Sequence, residues 1–363
     1  MRSRSLALLS ALLAGTAASP TLAAERLQMQ IGGEYIQYFG YADNDGAVGG
    51  DFTGFDIKTD ATLLFGGDVT LDNGLQVGVE VGLDAQSSGD DQIDGSYVWL
   101  EHGFGRLEIG SADSAAVLMH YAAPDVGLGI NDSDLTDWIA NPSGGDADSA
   151  FQSTYLYVGD DKATKISYFT PRFEGFQLGA SYAPEYARDD NAQPAGAIYR
   201  NGFALGANFV RSFGEVDVAL AAGFVRAERP DGSPAGVDNA EGYSVGGNIG
   251  YAGFTVGASY ADTKGNASGG TDAGVSFDGR GYDLGVAYAF DAFEVSLSYY
   301  NGKVADSTAS AGDSTHETVM LSGNYEVGPG VNVLASIFRS KFEADTGTDN
   351  TGWAAITGLT ISF

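Results

Sequence analysis

The stretch FALGANFVRSFGEVDVALAAGF, Phe203–Phe224, decides the fold, because its apolar residues recur at every second position. The alternation runs from Phe203 to Phe209, is interrupted at Ser212–Glu215, and resumes from Val216 to Phe224. Successive side chains of a β-strand point to opposite faces of the sheet, so this pattern predicts a hairpin with one apolar and one polar face.

The rest of the chain repeats this alternation, with connections of two lengths between the strands. Short turns fall at Asp72–Gly74, His102–Gly105, Pro171–Gly175, Ser212–Glu215, Tyr251–Gly253, Phe290–Ala292 and Gly328–Gly330. Longer polar segments cover Gly40–Thr53, Gln86–Asp94, Ser111–Lys162, Ala183–Asn201, Ala227–Ala240, Asp262–Asp278, Val304–Asp313 and Ala344–Asn350. Seven turns and eight segments give fifteen connections and about sixteen strands. Short turns on one side and long loops on the other are typical of a transmembrane antiparallel β-barrel, which is the all-β fold that we expect.

The composition excludes several classes of protein. The 363 residues contain 18 Lys and Arg against 48 Asp and Glu, and a chain this acidic repels the phosphates of nucleic acids. Cysteine is absent from the sequence, which excludes disulfides and thiolate metal sites. Beyond its first residues the chain has no run of ~18 apolar residues, so it would have to cross a membrane as a closed barrel.

The beginning of the chain has the composition of an export signal. Two arginines precede the apolar stretch Leu6–Ala18, and the small residues Ala23 and Ala24 follow as a candidate cleavage point. We therefore expect residues 1–24 to be a signal peptide and residues 25–363 to form the barrel.

The last strand carries alternating apolar residues up to an aromatic end. Leu359, Ile361 and Phe363 fall on one face of this strand. The arrangement resembles the signal by which barrel-assembly machinery recognises its substrates. We expect these three residues to serve as the insertion signal.

Two hairpins carry a resemblance to a known family. They are SYVWLEHGFGRLEIGSAD, Ser96–Asp113, and KISYFTPRFEGFQLGASYAPE, Lys165–Glu185. Both resemble hairpins of the Gram-negative general diffusion porins, especially the alphaproteobacterial branch. The resemblance implies a homotrimer in the outer membrane, in contact with lipid and lipopolysaccharide, that passes ions and small hydrophilic solutes without catalysing a reaction.

The loop after the fifth strand folds into the lumen and narrows the pore in that family. Here the corresponding third long loop is Ser111–Lys162. Its early part, around Val117, Leu118 and Met119, is too apolar for free solution and indicates a short packed piece that is helical in character. The loop lacks the Pro-Glu-Phe-Gly-Gly-Asp motif of the enterobacterial porins, so constriction residues are not transferred from those proteins.

A diffusion pore requires oriented charges at its narrowest point, and acidic rings favour cations. The acidic candidates in this loop are Asp125, Asp132, Asp134, Asp137, Asp146 and Asp148. The basic candidates on the predicted lumen side of strands are Lys58, Lys165 and Arg106. The presence of any single aspartate is equally well explained by an ordinary solvated turn. The presence of each base is equally well explained by an interfacial salt bridge. The acidic excess predicts a mild preference for cations.

Three other functions remain open at this point. A substrate-selective channel would have the same fold, and a secreted soluble adhesin would share the strand pattern without the terminal aromatic strand. A barrel enzyme would require a histidine close to a serine or carboxylate. His102, His120 and His316 fall in turns, in the long loop or near an outer loop, which argues against an enzyme. No cofactor is required, although Asp43–Gly46 makes Ca²⁺ a candidate structural ion.

Overall fold

The computed structural model describes the protein in thirteen stretches of chain. They are residues 27–45, 53–86, 92–131, 133–142, 150–157, 162–186, 199–229, 238–267, 275–276, 278–305, 312–344, 347 and 349–363. The predicted signal peptide, residues 1–24, lies outside these ranges. Among the described residues, no helix is long and apolar enough to cross a membrane.

The described part of the chain is almost entirely strand. In chain order the elements are β1 (Gln30–Asn44), β2 (Gly54–Thr70), β3 (Gln76–Asp84), β4 (Ile93–His102), β5 (Gly105–Ser111), α1 (Ala115–Leu118), a 3₁₀ turn (Ser133–Asp137), β6 (Thr164–Phe169), β7 (Phe176–Glu185), β8 (Arg200–Phe213), β9 (Val216–Glu228), β10 (Ala240–Tyr251), β11 (Phe254–Lys264), β12 (Asn266–Ala267), β13 (Val275–Ser276), β14 (Gly279–Phe290), β15 (Phe293–Ala305), β16 (Asp313–Gly328), β17 (Val331–Glu343) and β18 (Asp349–Ser362).

Sixteen of these strands form one closed antiparallel barrel, and β12 with β13 makes a separate two-stranded hairpin. Each barrel strand pairs with its neighbour in sequence, with β14 following β11. The barrel closes where β1 pairs with β18, and Tyr35 lies opposite Ile361. Gly33 N donates to Phe363 O at 3.0 Å, and Phe363 N donates to Gly33 O at 3.1 Å. The predicted barrel of about sixteen strands is confirmed, and its first and last strands are paired.

The seven predicted short turns all join neighbouring barrel strands. The turn between β10 and β11 has positive φ at both Ala252 and Gly253, which is the backbone geometry of a tight twisted hairpin. A Cβ on Gly253 would stand 2.7 Å from Ala289 O on the adjacent strand, so glycine is required there for space as well as for φ. The small hairpin β12–β13 lies within the predicted loop Asp262–Asp278 and was not predicted.

The two faces of most barrel strands differ in exposure, as the alternation predicts. In β8 and β9, Phe203, Leu205 and Leu220 are exposed, whereas Ala204 and Ala221 are buried. An exposed apolar surface that continues around the barrel is unfavourable in water and is the surface that a membrane-spanning barrel presents to lipid.

One residue on the outward face of β2 is buried. Phe55 and Ile57 of this face are exposed, but Ala61, which shares their alternation, is only 6% exposed. Its side chain is small and lies directly opposite Tyr35 of β1 in the register. Alternation therefore predicted the face correctly but not the degree of exposure.

Candidate functional site

The segment between β5 and β6 begins with helix α1, which packs against β6–β9. The first three residues of α1 are buried. Ala115 O lies 2.3 Å from the point where a Cβ of Gly206 would stand, on the face of β8 opposite the exposed Leu205. The absence of a side chain at this glycine thus lets the helix approach the strand. The predicted packed, helical piece is present.

Small polar side chains of the barrel accept hydrogen bonds from the backbone of this segment. The bonds join Ala115 N to Ser181 Oγ at 2.9 Å, Ala123 N to Asp283 Oδ1 at 2.9 Å, Val126 N to Ser296 Oγ at 3.1 Å, and Leu128 N to Ser336 Oγ at 3.1 Å. All four acceptors alternate with exposed residues along their strands, so they share the face opposite the exposed apolar one. These side chains provide hydrogen-bond acceptors for backbone N–H groups that have no partner in a regular helix or strand.

A buried apolar cluster connects the segment to β1 and to β15–β18. Its members are Ile36, Tyr38, Ala42, Leu128, Ile130, Leu135, Trp138, Ile139, Phe151, Tyr300, Val304, Met320, Leu334, Phe338, Phe342, Ala354 and Ile356. Each large side chain buried in this way contributes about 1.5–3 kcal/mol. Asn44 adds polar bonds, because its Oδ1 accepts from Ala140 N at 3.1 Å and its Nδ2 donates to Trp138 O at 3.1 Å. The cluster therefore fixes the segment against the barrel.

Asp283 of β14 is the centre of a buried polar network beneath the segment. It accepts hydrogen bonds from Ser259 Oγ at 2.5 Å, from Thr154 Oγ1 at 3.1 Å and from Asn131 Nδ2. His120 Nε2 lies 3.2 Å from the same Thr154 hydroxyl. Burial lowers the pKa of His120 to about 4, and the negative charge of Asp283 opposes that shift. His120 is therefore neutral at neutral pH.

The structure brings one histidine of the long segment close to a serine, which the sequence did not indicate. His120 Nδ1 lies 3.4 Å from Ser244 Oγ, and His316 lies within β16 with its Nε2 2.8 Å from Thr318 Oγ1. Ser244 is distant from His120 in sequence, and the contact of His316 with Thr318 results from the burial of both side chains. Spacing along the chain therefore did not reveal either contact. Ser244 is only 1% exposed, which leaves a substrate no access to it. The contact of His120 with Ser244 joins the segment to the barrel, and so does His316 Nδ1, which lies 3.2 Å from Phe151 O.

A cavity of about 210 Å³ lies between the start of the segment and the strands β2–β5. It is lined by Leu64, Glu80, Gly82, Asp94, Gly95, Tyr97, Arg106, Glu108, Ser111, Ala112, Asp113, Leu118 and Lys162. A second cavity of about 70 Å³ continues it towards the turn between β2 and β3. Leu64, Glu80 and Arg106 line both cavities. We call the two together the lined passage.

Charged side chains dominate the lined passage. Arg106 Nε lies 2.6 Å from Glu108 Oε1, and its Nη1 lies 3.3 Å from Glu101 Oε2. The same guanidinium stacks 4.4 Å from the ring centroid of Trp99. Lys162 forms an ion pair with Asp94, and Tyr97 OH donates to Glu80 Oε1 at 2.9 Å. In the larger cavity the carboxylates of Glu80, Asp94, Glu108 and Asp113 outnumber the two bases, and both bases are already paired with acids.

The structure separates the three predicted basic residues. Arg106 lines the passage. Lys58 pairs with Asp56 at 2.8 Å and lies 5.1 Å from the Trp138 ring, close to the segment. Lys165 is 3% exposed and donates to Ala112 O, so it is covered by the segment and does not line the passage.

The structure describes three of the six predicted acidic residues, Asp125, Asp134 and Asp137. Asp125 accepts from Gly127 N at 3.0 Å and lies 3.4 Å from Ser298 Oγ of the barrel. Asp134 is buried, and burial raises the pKa of Asp137 while Lys58 opposes that shift. None of these three lines the cavities described above. Asp132, Asp146 and Asp148 lie outside the described residues, so the structure does not describe their positions.

Sequence reasoning missed Glu80, Glu108 and Asp94 as lining residues. The signal was present, because Tyr97 and Arg106 occupy inward positions of the quoted hairpin Ser96–Asp113, as does Glu108. The acidic lining residues were predicted in the long loop and not on these strands.

The predicted insertion signal lies on the outer surface. Leu359, Ile361 and Phe363 are all exposed on one face of β18 and its end. Their recognition by assembly machinery stays a prediction. Within the described ranges, no group of three or more His, Asp or Glu side chains is placed to hold a metal ion.

Comparisons with known proteins agree with this architecture. An uncharacterised protein of Rickettsia conorii is 23% identical over 313 residues, which cover 69% of each chain. A porin structure refined at 1.8 Å resolution is 20% identical with a TM-score of 0.61, over 93% of this chain and 100% of that one. The trimer form of in-vitro folded OmpT, an outer-membrane protein of Vibrio cholerae, is 13% identical with a TM-score of 0.60 over the same shares. A sequence profile of the Gram-negative porins matches residues 7–345, and the chain therefore belongs to the Gram-negative porin family.

Proposed function

We propose that this barrel is a passive channel for ions and small hydrophilic solutes that mildly prefers cations. Membership of the porin family and the closed sixteen-stranded barrel support an outer-membrane diffusion channel. The observation that carries the preference for cations is the charge of the lined passage, with four carboxylates and two paired bases in its larger cavity. Such a surface attracts cations and repels anions.

The segment between β5 and β6 is proposed to fold into the lumen and to set the width of the channel. Its backbone bonds to Ser181, Asp283, Ser296 and Ser336 support this role, because those side chains lie on the face opposite the exposed apolar surface. Its buried contacts with β6–β9 and β15–β18 would leave β2–β5 as the open part of the wall.

A homotrimer is the proposed assembly. The OmpT structure of Vibrio cholerae is described as a trimer form. On the outward face of this chain, Gln37 Oε1 accepts from Tyr35 OH and from Thr59 Oγ1, each at 3.2 Å. Polar groups on the outer face of a barrel are unfavourable in lipid, so their position on β1 and β2 favours contact with another protein surface. Sedimentation in detergent would measure the assembly directly.

An enzymatic function is not favoured. Family and fold point to a channel, and the buried histidine contacts described above lack access for a substrate. A substrate-selective channel of the same fold is the second candidate. Ca²⁺ as a structural ion, and lipopolysaccharide and the assembly machinery as partners, remain proposals. The Rickettsia relative supports the alphaproteobacterial branch.

Reversal potentials of the purified protein in planar bilayers test the proposed selectivity. Under a KCl gradient we expect a potential of the sign that cation preference produces. A potential of the opposite sign would overturn the selectivity, and the absence of conductance would overturn the channel itself.

A further inference from the structure

Two aromatic side chains project from β4 towards the lined passage. Tyr97 and Trp99 share the inward face of this strand, because Val98 between them is 44% exposed on the outer face. Tyr97 lines the larger cavity and Trp99 lines the smaller one. The strand β4 lies between β3 and β5 in the barrel, so its inward side chains can reach charged residues on both neighbours.

Tyr97 holds an acid of β3. It lies directly opposite Glu80 in the register, and its hydroxyl donates to Glu80 Oε1 at 2.9 Å. A hydrogen bond to a charged acceptor is stronger than one between two neutral groups. The bond therefore restricts the carboxylate of Glu80 to the side of the passage on which Tyr97 lies.

Trp99 holds a base of β5. The guanidinium of Arg106 lies 4.4 Å from the ring centroid of Trp99, a distance at which a cation is attracted to an aromatic face. Glu108 and Glu101 bind two edges of the same guanidinium, and the side chain of Arg106 is only 21% exposed. Arg106 is thus fixed on two edges and on one face.

The indole of Trp99 lies between this guanidinium and β3. Gly78 of β3 is directly opposite Trp99, and a Cβ at that glycine would stand 2.3 Å from Trp99 Cε2. The ring therefore packs on the backbone of β3, where it is only 5% exposed. Glu80 is the next inward residue of β3 after Gly78. The indole thus fills space beside the carboxylate that a side chain of β5 could otherwise enter.

We propose that Tyr97 and Trp99 are positioning residues that keep Glu80 and Arg106 apart and so maintain an open, charged gap in the lined passage. Glu80 and Arg106 both line the two cavities. Within the described part of the chain, Arg106 forms ion pairs with two other acids and not with Glu80. Opposite charges that line one cavity attract each other, so contacts elsewhere must hold them apart. The inference rests on the proposed channel and deepens it, because the gap contains a carboxylate on which the selectivity depends.

The test measures single-channel conductance and reversal potential of the full chain in planar bilayers. Trp99→Leu removes the ring face and opens space beside Glu80, whereas Tyr97→Phe removes only the hydroxyl. In each variant we expect Glu80 and Arg106 to pair, so that the conductance falls and the permeability ratio of K⁺ to Cl⁻ falls about twofold. Trp99→Phe, which retains an aromatic face, should cause a smaller change than Trp99→Leu.

Matched controls remove the same groups from the outer surface. Trp353→Leu and Tyr251→Phe change exposed residues, and neither should alter the conductance or the permeability ratio. A second comparison uses the Glu80→Gln background, in which no carboxylate remains to pair with the base. There Trp99→Leu and Tyr97→Phe should cause no further fall in the permeability ratio. A purely structural role of either aromatic residue would not depend on Glu80 in this way.

Unchanged conductance and selectivity in both Trp99→Leu and Tyr97→Phe would overturn the proposal. A larger conductance in Trp99→Leu would also overturn it, by showing that the indole only narrows the passage through its bulk. An equal further fall in the Glu80→Gln background would show that the effect does not act through the ion pair. Heat-dependent gel migration checks that each variant is folded, and the milder Tyr97→Phe and Trp99→Phe allow the same comparison if Trp99→Leu does not fold.

A crystal structure of Tyr97→Phe separates this proposal from the proposed function. A direct ion pair between Glu80 and Arg106 in that variant is the expected result, and an unchanged separation would overturn the positioning role. Neither result requires the protein to conduct. Absence of conductance in the wild type would instead overturn the channel.

Discussion

The strands that hold the segment and the strands that line the passage differ in their inward side chains. Under the segment these are small or apolar, as at Ser296, Gly302 and Phe338, and a Cβ on that glycine would stand 2.1 Å from Phe151 O. Along β2–β5 they include the long charged side chains of Glu80 and Arg106 and the aromatic ring of Tyr97. One backbone architecture thus supports two interiors: small side chains leave room for another layer of protein, and large polar ones keep a space open to water.

We expect the largest effect on stability from a substitution that fills the space between the segment and the barrel strand beneath it. Gly302→Ala would place a Cβ 2.1 Å from Phe151 O, so the segment must move or the strand must distort. Overpacking of this kind costs about 1–3 kcal/mol. We expect a lower midpoint of heat-dependent gel migration and a larger single-channel conductance.

Gly82→Ala is the control for that change, because its nearest obstacle is Leu64 Cδ2 at 3.5 Å, an ordinary contact. It should leave both measurements near the wild-type values. Equal loss of stability in the two variants would show that the two parts of the wall do not differ as described.

Acid should weaken the attachment of the segment through His120. The ordinary pKa of this group is 6.5 and burial lowers it to about 4 in the folded protein. Between these values the unfolded chain binds a proton that the folded chain does not, so stability is fully present above pH 6.5 and falls as the pH approaches 4. The loss is of the order of 3 kcal/mol at most. Unfolding midpoints measured at several pH values test this expectation.

His120→Gln serves as the reference for the pH series. Because glutamine does not titrate, the part of the pH dependence that belongs to His120 should disappear in this variant. An unchanged pH dependence would assign the effect to other groups.

Selectivity should respond to the lined passage. Glu80→Gln removes a carboxylate that lines both cavities, and we expect the permeability ratio of K⁺ to Cl⁻ to fall about twofold. Glu174→Gln is the matched control, because Glu174 lies at a short turn and pairs with Arg211 on the outside. An equal shift in both variants would argue that overall charge, and not the passage, sets the selectivity.

The smallest effect is expected at Asp125. Its carboxylate is bonded to Gly127 N and lies close to Ser298 Oγ, away from the lined passage. Asp125→Asn should therefore shift the reversal potential less than Glu80→Gln does. A larger shift would show that the loop aspartates form the constriction, as the sequence predicts.

The fold could be predicted from the sequence because its signals are local. Alternation within one strand and glycine-rich turns such as Ala252–Gly253 are visible in short stretches of chain. The site could be predicted only in part. Lys165 and Arg106 both occupy inward positions, yet one is covered by Ala112 and the other lines the passage. Alternation specifies a face, whereas exposure depends on contacts between residues far apart in sequence.

Asp125 illustrates the same limit, because it lies 173 residues from the serine hydroxyl beside it. Nothing within a short window of sequence indicates such a partner. The sequence therefore predicts pore lining for the acidic run around it, whereas the structure gives Asp125 a contact with the barrel and buries Asp134.

The seam between β1 and β18 has a consequence for assembly. Ser362 Oγ donates to Glu34 Oε2 across the seam, and the two residues are 328 positions apart. Until the last strand arrives, β1 presents an unpaired row of backbone donors and acceptors that any other strand could join. Non-local pairing of this kind is slow, because the entropy of closing the loop precedes the gain from the contacts. The incomplete sheet must therefore be protected from pairing with other chains until β18 closes the barrel.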